Sequence, residues 1–184
     1  MKVVSIVGSL RQDSWNHKLT RAATDILRSK GVEVEEASLG GLTLFSGDLD
    51  DGTFPEPVAA LRSAMQGADG LLVASPEYNH SISAVMKNAI EWTCRPPNCW
   101  TNKVVFAMST TPGRSGGIRM HLHLSDCLQC EGAWLIPRPM VLVPNAASVF
   151  DSDGNLLDQS VGDQLEEAMT TLVNTINTMS GARA

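Results

Sequence analysis

The sequence predicts a doubly wound α/β domain, in which helices cover both faces of a parallel sheet. Short apolar, β-branched segments alternate along the chain with longer segments whose apolar residues recur at helical spacing. This alternation is typical of parallel strands joined by crossover helices. One strand, Val32 to Ala37, alternates apolar and acidic residues, which is expected at an exposed sheet edge. Together these observations favour five strands in the order 2-1-3-4-5.

Five strands and five helices are predicted. The strands are Lys2 to Val7, Val32 to Ala37, Asp69 to Ser75, Lys103 to Ser109, and Ala133 to Ile136 with Met140 to Val143 as a candidate continuation beyond two prolines. The helices are Trp15 to Lys30, Pro57 to Ala68, Ile82 to Arg95, Ile118 to Glu131 and Val161 to Met179. A long surface loop without clear periodicity is predicted from Leu39 to Pro57.

Capping and breaking residues bound these helices. Ser14 or Asp13 is expected to cap the first helix, because a side-chain oxygen there can accept a free backbone N–H. Gly31 is expected to end that helix in a left-handed conformation. Ser81 or Ser83 is the expected cap of the third helix, and two prolines, Pro96 and Pro97, prevent its continuation.

Length and charge narrow the functional classes. With 184 residues the chain is expected to form one domain over residues 1–184. The net charge of −6 argues against nucleic-acid or anionic-membrane partners, which require a basic surface. No apolar run approaches a membrane span, and the first strand is too short for a signal peptide. A cytoplasmic location with four reduced cysteines is therefore expected.

Three polar loops follow the first, third and fourth strands: Ser9 to Asn16, Pro76 to Ser81, and Ser109 to Gly117. The predicted strand order brings these loops together at the carboxyl edge of the sheet, where open α/β sheets bind ligands. The first loop lacks both the Walker-A pattern and the Gly-x-Gly-x-x-Gly dinucleotide pattern. Its hydroxyls, Arg11 and the helix start suit a phosphate monoester, although Ser14 could serve only as a cap.

The other two loops each allow a structural and a functional interpretation. Tyr78 and Asn79 could border a planar ring, but a single tyrosine is more commonly a core or interface residue. Glu77 has no evident partner for acid–base chemistry, so its backbone is expected to matter more than its carboxylate. The glycines of the third loop allow close backbone approach to a ligand, but Gly-Gly is also common in flexible turns.

The motifs in these loops resemble the NADPH-dependent FMN reductase family of quinone, chromate and azo reductases. They are Gly8-Ser-Leu-Arg-x-x-Ser-x-Asn16, Pro76-Glu-Tyr-Asn-x-Ser81, Lys87-Asn-Ala-Ile-Glu-Trp92, Pro112-Gly-Arg-x-Gly-Gly117 and Phe150-Asp-x-Asp-Gly154. The resemblance runs from the first strand to about Gly154. Two departures stand out. Asp13 places an acid in the phosphate loop and should therefore face solvent, and Trp15 replaces a common Phe.

The resemblance implies a flavodoxin-like fold with non-covalent FMN, NADPH or NADH as co-substrate, and a homodimer or homotetramer. Ser9, Arg11, Ser14 and Asn16, with Trp15 beside them, would hold the phosphate. Pro76, Glu77, Tyr78 and Asn79 would border the ring, and Ser109, Ser115, Gly116 and Gly117 would lie near the ring or ribityl chain. Hydride would pass from NAD(P)H through FMN to small-molecule acceptors. The flavin carries this chemistry, so no dedicated catalytic acid or base is expected.

Two further alternatives concern function. A flavodoxin-like electron carrier would bind FMN but turn over little NAD(P)H; it would be more acidic and richer in aromatics than this chain, with 5% aromatic residues. Cys127 and Cys130, with His121 and His123 upstream, could form a redox pair or a zinc site. Buried, inert thiols and no metal are the favoured interpretation, because no second ligand pair follows at a usual spacing.

Overall fold

The computed structural model describes residues 1–181, and the last three positions of the predicted domain, 182–184, lie outside the described residues. Within the described residues there are six strands: β1 Lys2–Val7, β2 Glu33–Ala37, β3 Gly70–Ala74, β4 Val104–Thr110, β5 Trp134–Leu135 and β6 Val141–Val143. Five α-helices alternate with them: α1 Trp15–Ser29, α2 Glu56–Gln66, α3 Ala84–Thr93, α4 Ile118–Cys130 and α5 Gln159–Gly181. The predicted alternation is therefore confirmed, with ends displaced by at most two residues.

All strand pairs are parallel, and the order β2-β1-β3-β4-β5 confirms the predicted topology. The prediction of five strands was incomplete, because the last strand is divided in two. β5 pairs with the start of β4 at Val104, whereas β6 pairs with its end from Met108 to Thr110. Pro137 and Pro139 lie between them and cannot donate backbone hydrogen bonds to the ladder.

The sheet separates two apolar cores. Alternate residues of β4 face opposite sides, so Val104, Phe106 and Met108 pack under α1 and α5, whereas Val105 and Ala107 pack under the other three helices. All five residues of β3 are buried. Continuous burial on both faces is expected for a central parallel strand. It gives the loop after β3 a rigid base.

Helix ends follow the sequence signals in part. Ser83 caps α3, where its hydroxyl accepts a hydrogen bond from the Met86 N–H at 3.2 Å. Gly31 follows α1 with a φ of 77°, as predicted. The predicted capping of α1 was wrong in detail: Ser14 occupies the cap position, but within the described chain its side chain makes no capping hydrogen bond. Its hydroxyl is thus not used to hold the helix.

The long loop between β2 and α2 is anchored on α3. It contains one short 3-10 turn, Gly47–Leu49. Asn88 accepts from the Phe45 N–H at 2.7 Å and donates to the Thr43 carbonyl at 3.1 Å, and the Trp92 indole donates to the same carbonyl at 2.7 Å. Asn88 and Trp92 lie one helical turn apart, which explains their spacing in the sequence. Among residues 1–181, no helix is long and apolar enough to cross a membrane.

Candidate functional site

The carboxyl ends of β1, β3 and β4 lie side by side, and the three polar loops leave the sheet from them. Backbone hydrogen bonds continue the ladder into the loops: the Gly8 N–H bonds the Ala74 carbonyl at 2.8 Å, and the Ser75 N–H bonds the Met108 carbonyl at 3.3 Å. The convergence predicted from the strand order is thus present. It creates one candidate site at the topological switch point of the sheet.

The first loop carries side chains suited to an anion at the start of α1. Ser9 and Ser14 are buried, whereas Arg11 is exposed. None of the described residues in the first turn of α1 is acidic, so the positive end of the helix dipole faces no carboxylate of its own. Asp13 is turned outward, with a side chain 75% exposed that pairs with Lys18 at 2.6 Å. Asp13 therefore faces solvent, as expected if this loop is to hold a phosphate.

Asn16 and Trp15 hold this loop against the rest of the domain. The Asn16 amide donates to the Thr110 carbonyl at 3.0 Å, and its oxygen accepts from the Thr110 N–H at 3.1 Å. The Trp15 ring stacks on Phe150 with centroids 6.0 Å apart. Both side chains therefore pack the loop against β4 and the segment after β6. In this structure they support the loop and do not project from it.

The central loop is a tight hairpin. The Tyr78 and Ser81 backbones exchange two hydrogen bonds of 3.0 Å, and Asn79 and His80 between them have φ values of 48° and 67°. Two consecutive left-handed residues define a type I′ turn, and asparagine tolerates that conformation well. The turn leaves Tyr78 46% exposed above a buried Pro76. The hairpin thus presents an aromatic ring and an amide at the edge of the site.

Glu77 faces the start of α4, and its carboxylate makes contacts there that the sequence did not indicate. Its oxygens accept from the Arg119 backbone N–H at 3.1 Å and from the Arg119 guanidinium at 3.2 Å. The Glu77 side chain is only 8% exposed, whereas that of Arg119 is 49% exposed. Arg119 lies in the first turn of α4, where a carboxylate is stabilised by the helix dipole. Acids that meet helix starts from a distant loop carry no local sequence signal.

Two glycines bring the third loop close to its neighbours. Gly116 and Gly117 have φ values of 60° and 91°. A Cβ atom at Gly117 would lie 2.2 Å from the Ser109 hydroxyl, and one at Gly116 would lie 2.7 Å from the Leu142 carbonyl. Ser109 is fully buried and donates to the Ser75 carbonyl at 2.8 Å. Ser115 is half-buried, and its hydroxyl accepts from the Gly117 N–H at 3.3 Å.

Two adjoining cavities border the first loop on the side of β2. One has a volume of about 550 Å³ and is lined by residues that include Ser14 and Lys18. The other measures about 670 Å³ and is lined by residues that include Ser9 and Arg11. Gln12, His17 and Ser38 contribute to both, and neither is lined by the central or third loop. The first loop therefore borders recessed space, whereas the central hairpin lines neither cavity.

The alternative of a redox thiol pair or a metal site at Cys127 and Cys130 gains no support from the described residues. Among residues 1–181, no group of three or more His, Cys, Asp or Glu side chains is placed to hold a metal ion. Burial raises the pKa of the Cys127 thiol, which disfavours the reactive thiolate. His121 is buried, and its Nδ1 has no hydrogen-bond partner within the described chain. His123, by contrast, lies 2.9 Å from the Ser81 hydroxyl through its Nδ1.

Comparison with known families shows the protein family of this chain. Residues 1–148 match the family model described as NADPH-dependent FMN reductase. The chain belongs to that family. Membership confirms the predicted FMN cofactor and NAD(P)H-dependent oxidoreductase activity, and it favours an enzyme over an electron carrier. The loop that holds Ser9, Arg11 and Ser14 lies within the matched region.

Individual FMN reductase relatives cover nearly the whole chain. A probable NADPH:quinone oxidoreductase 2 of Oryza sativa subsp. japonica is 38% identical over 178 residues, covering 94% of this chain and 87% of the relative. An NAD(P)H-dependent FMN reductase of Pseudomonas aeruginosa is 33% identical, covering 94% and 93%. The structure of FerB, a flavoenzyme NAD(P)H:(acceptor) oxidoreductase from Paracoccus denitrificans, superposes with a TM-score of 0.87 at 30% identity, covering 97% and 98%. The flavodoxin-like fold prediction is thereby confirmed.

Proposed function

We propose that this FMN reductase passes a hydride from NADPH or NADH through bound FMN to quinones and to similar acceptors such as chromate or azo compounds. The main support for this proposal is that the three loops converge at the switch point of the sheet, in a chain that belongs to this family. Relatives named quinone oxidoreductases support the acceptor class, among them a 2-hydroxy-1,4-benzoquinone reductase from Burkholderia at 32% identity.

The first loop would hold the FMN phosphate. Ser9, Arg11 and Ser14 would bind it directly. The Ser14 hydroxyl makes no capping hydrogen bond within the described chain, and the exposed Arg11 lines the larger of the two cavities. Asn16 would keep the first N–H groups of α1 aimed at the phosphate through its bonds to Thr110, with Trp15 packed alongside. These residues fit a phosphate monoester because they supply hydroxyls, one cation and a helix start without an opposing carboxylate.

The other two loops would border the isoalloxazine. Pro76, Glu77, Tyr78 and Asn79 would line one edge, and Ser109, Ser115, Gly116 and Gly117 would lie near the ring or the ribityl chain. The bound flavin supplies the hydride chemistry, while the protein supplies position, electrostatics and partial exclusion of water. The hairpin holds the backbone from Glu77 to Asn79 in one conformation, so its N–H groups would meet the ring in fixed positions. Tyr78, half exposed, would flank the face that the nicotinamide and the acceptor share.

The proposal extends to the domain organisation, assembly, location and partners of the chain. The chain would act as a single domain and assemble as a homodimer or homotetramer. It would work in the cytoplasm on small molecules, without nucleic-acid or membrane partners. The net charge of −6 supports the last point, because polyanions are repelled by an acidic surface.

The decisive experiment is an absorbance spectrum after FMN addition and desalting, followed by anaerobic NADPH. Retained bands at roughly 370 and 450 nm that bleach on addition of NADPH would support the reductase. Bands that remain would favour a carrier, and absence of retained flavin would overturn the proposed site. NADPH oxidation with a quinone acceptor then measures turnover directly.

A further inference from the structure

Side chains of α4 contact both ends of the central hairpin. At one end, both oxygens of Glu77 are bound by Arg119; at the other, the Ser81 hydroxyl meets His123 at 2.9 Å. Between these anchors lie Tyr78 and Asn79, the residues proposed to border the flavin. The position of the hairpin is therefore set by α4, as well as by the strand that precedes it.

The anchor at Glu77 brings two opposite charges to the edge of the ring site. The Glu77 carboxylate is almost completely buried, whereas the Arg119 side chain is half exposed. Their ion pair, at 3.2 Å, is thus shielded from water on the carboxylate side. Charges in such surroundings interact with their neighbours more strongly than charges in bulk water.

From this arrangement we infer that Glu77 and Arg119 are positioning residues whose charges shift the reduction potential of the bound flavin in opposite directions and so offset each other. Reduction adds electrons to the ring and leaves it more negative when protons do not follow in equal number. A nearby carboxylate disfavours that change, and a nearby guanidinium favours it. As a pair the two charges nearly cancel. The inference rests on the proposed location of the flavin between the central and third loops.

Substitutions that replace a charged side chain by a neutral polar one separate this electrostatic role from a purely structural role. In Glu77→Gln the amide oxygen can still accept from the Arg119 N–H, and in Arg119→Gln that N–H is retained. Glu77→Gln should raise the midpoint potential because Arg119 is left uncompensated, and Arg119→Gln should lower it. Each should change the ratio of reduced to oxidised flavin at a fixed potential by roughly tenfold. The double variant should return close to the wild-type potential.

The measurement is anaerobic redox titration of FMN-loaded protein against a reference dye. Glu91→Gln is the matched control, because it removes an ion-paired carboxylate of the neighbouring helix α3, which pairs with Lys87. Its potential should not change. Thermal unfolding of the FMN-free variants checks that each is folded. Arg119 is half-exposed, so Arg119→Gln is the less disruptive substitution. If Glu77→Gln does not fold, a lowered potential in Arg119→Gln supports the inference and an unchanged or raised one overturns it.

The outcomes separate the two proposals. Opposite shifts in the single variants, cancelled in the double variant, support the charge-pair inference. Shifts in the same direction, or no shift, in protein that retains FMN would overturn this inference and leave the proposed function intact. A wild-type protein that binds no FMN would overturn the proposed flavin site, and with it the inference.

Discussion

Asn16 bonds both the carbonyl and the N–H of Thr110 through its single amide, and so joins the start of α1 to the end of β4. The residues are 94 positions apart, and both are buried. The contact links the first loop to the origin of the third loop. The surfaces proposed for the phosphate and the ring are therefore held at a fixed separation by one side chain.

Asn16→Ala should destabilise the protein and weaken FMN binding together. It leaves two buried backbone groups of Thr110 unpaired, at a cost of about 1–3 kcal/mol for each group. Urea unfolding and flavin fluorescence titration measure the two effects. If FMN affinity fell while stability stayed at the wild-type value, Asn16 would be a direct ligand of the phosphate instead of a support.

Arg11→Ala should weaken FMN binding without loss of stability. Arg11 is exposed, so its replacement removes little buried surface and chiefly the proposed charge–phosphate contact. Affinity should fall roughly 10- to 100-fold, the range for a hydrogen bond to a charged group. The matched control is Arg28→Ala at the other end of α1, where Arg28 pairs with Asp25 and Glu36. Unchanged FMN affinity in Arg11→Ala would remove Arg11 from the phosphate site.

Gly117→Ala should distort the third loop. The substituted residue would be held at a φ of 91° with its Cβ 2.2 Å from the Ser109 hydroxyl, so stability should fall by about 1–3 kcal/mol or more. Gly113→Ala in the same loop is the control, since a Cβ there would meet no other atom of residues 1–181 within 4 Å. Thermal unfolding compares the two variants. Equal stability would show that the loop rearranges freely around Gly117.

His121 should make the protein less stable in mild acid. Burial lowers the pKa of His121 below its usual 6.5, so the native state keeps it neutral while the unfolded chain takes up a proton. Its contribution is present above pH 6.5 and is lost as the pH falls towards the lower native pKa. His121→Leu should therefore show a flatter loss of stability between about pH 7 and pH 5.

Urea unfolding at a series of pH values tests this, with the exposed His80→Asn as the control. Asparagine suits the left-handed backbone at position 80. The control should retain the wild-type acid dependence. Identical curves for His121→Leu and wild type would exclude His121 as the source.

Replacement of Cys127 and Cys130 by Ser should leave turnover intact. Cys127 is half-buried with a raised pKa, and Cys130 ends α4 in an exposed position. Neither thiol contributes to the three loops of the site. Steady-state NADPH oxidation compares the double variant with wild type; a tenfold or greater loss in a folded protein would restore the redox-pair hypothesis.

The sequence alone predicted the layout of this protein, because the relevant signals are local. Apolar runs, helical spacing and breakers such as Gly31 and Pro96 predicted the elements. The acidic alternation of β2 predicted an edge strand, and thus the strand order and the convergence of the loops. The loop motifs predicted the family, which the comparison confirmed. Each signal depends on residues a few positions apart, whose spacing is fixed by strand and helix geometry.

Tertiary structure alone decided which contacts the side chains of those loops make. Asn16 belonged to the predicted phosphate set, but its amide is bound to a backbone 94 residues away. Glu77 was expected to act through its backbone, but its carboxylate anchors α4 at Arg119, 42 residues away. The division of the last strand also depended on the two ends of β4 available for pairing. Hydrogen bonds and ion pairs between distant segments are satisfied only once the chain is folded, so no local pattern encodes them.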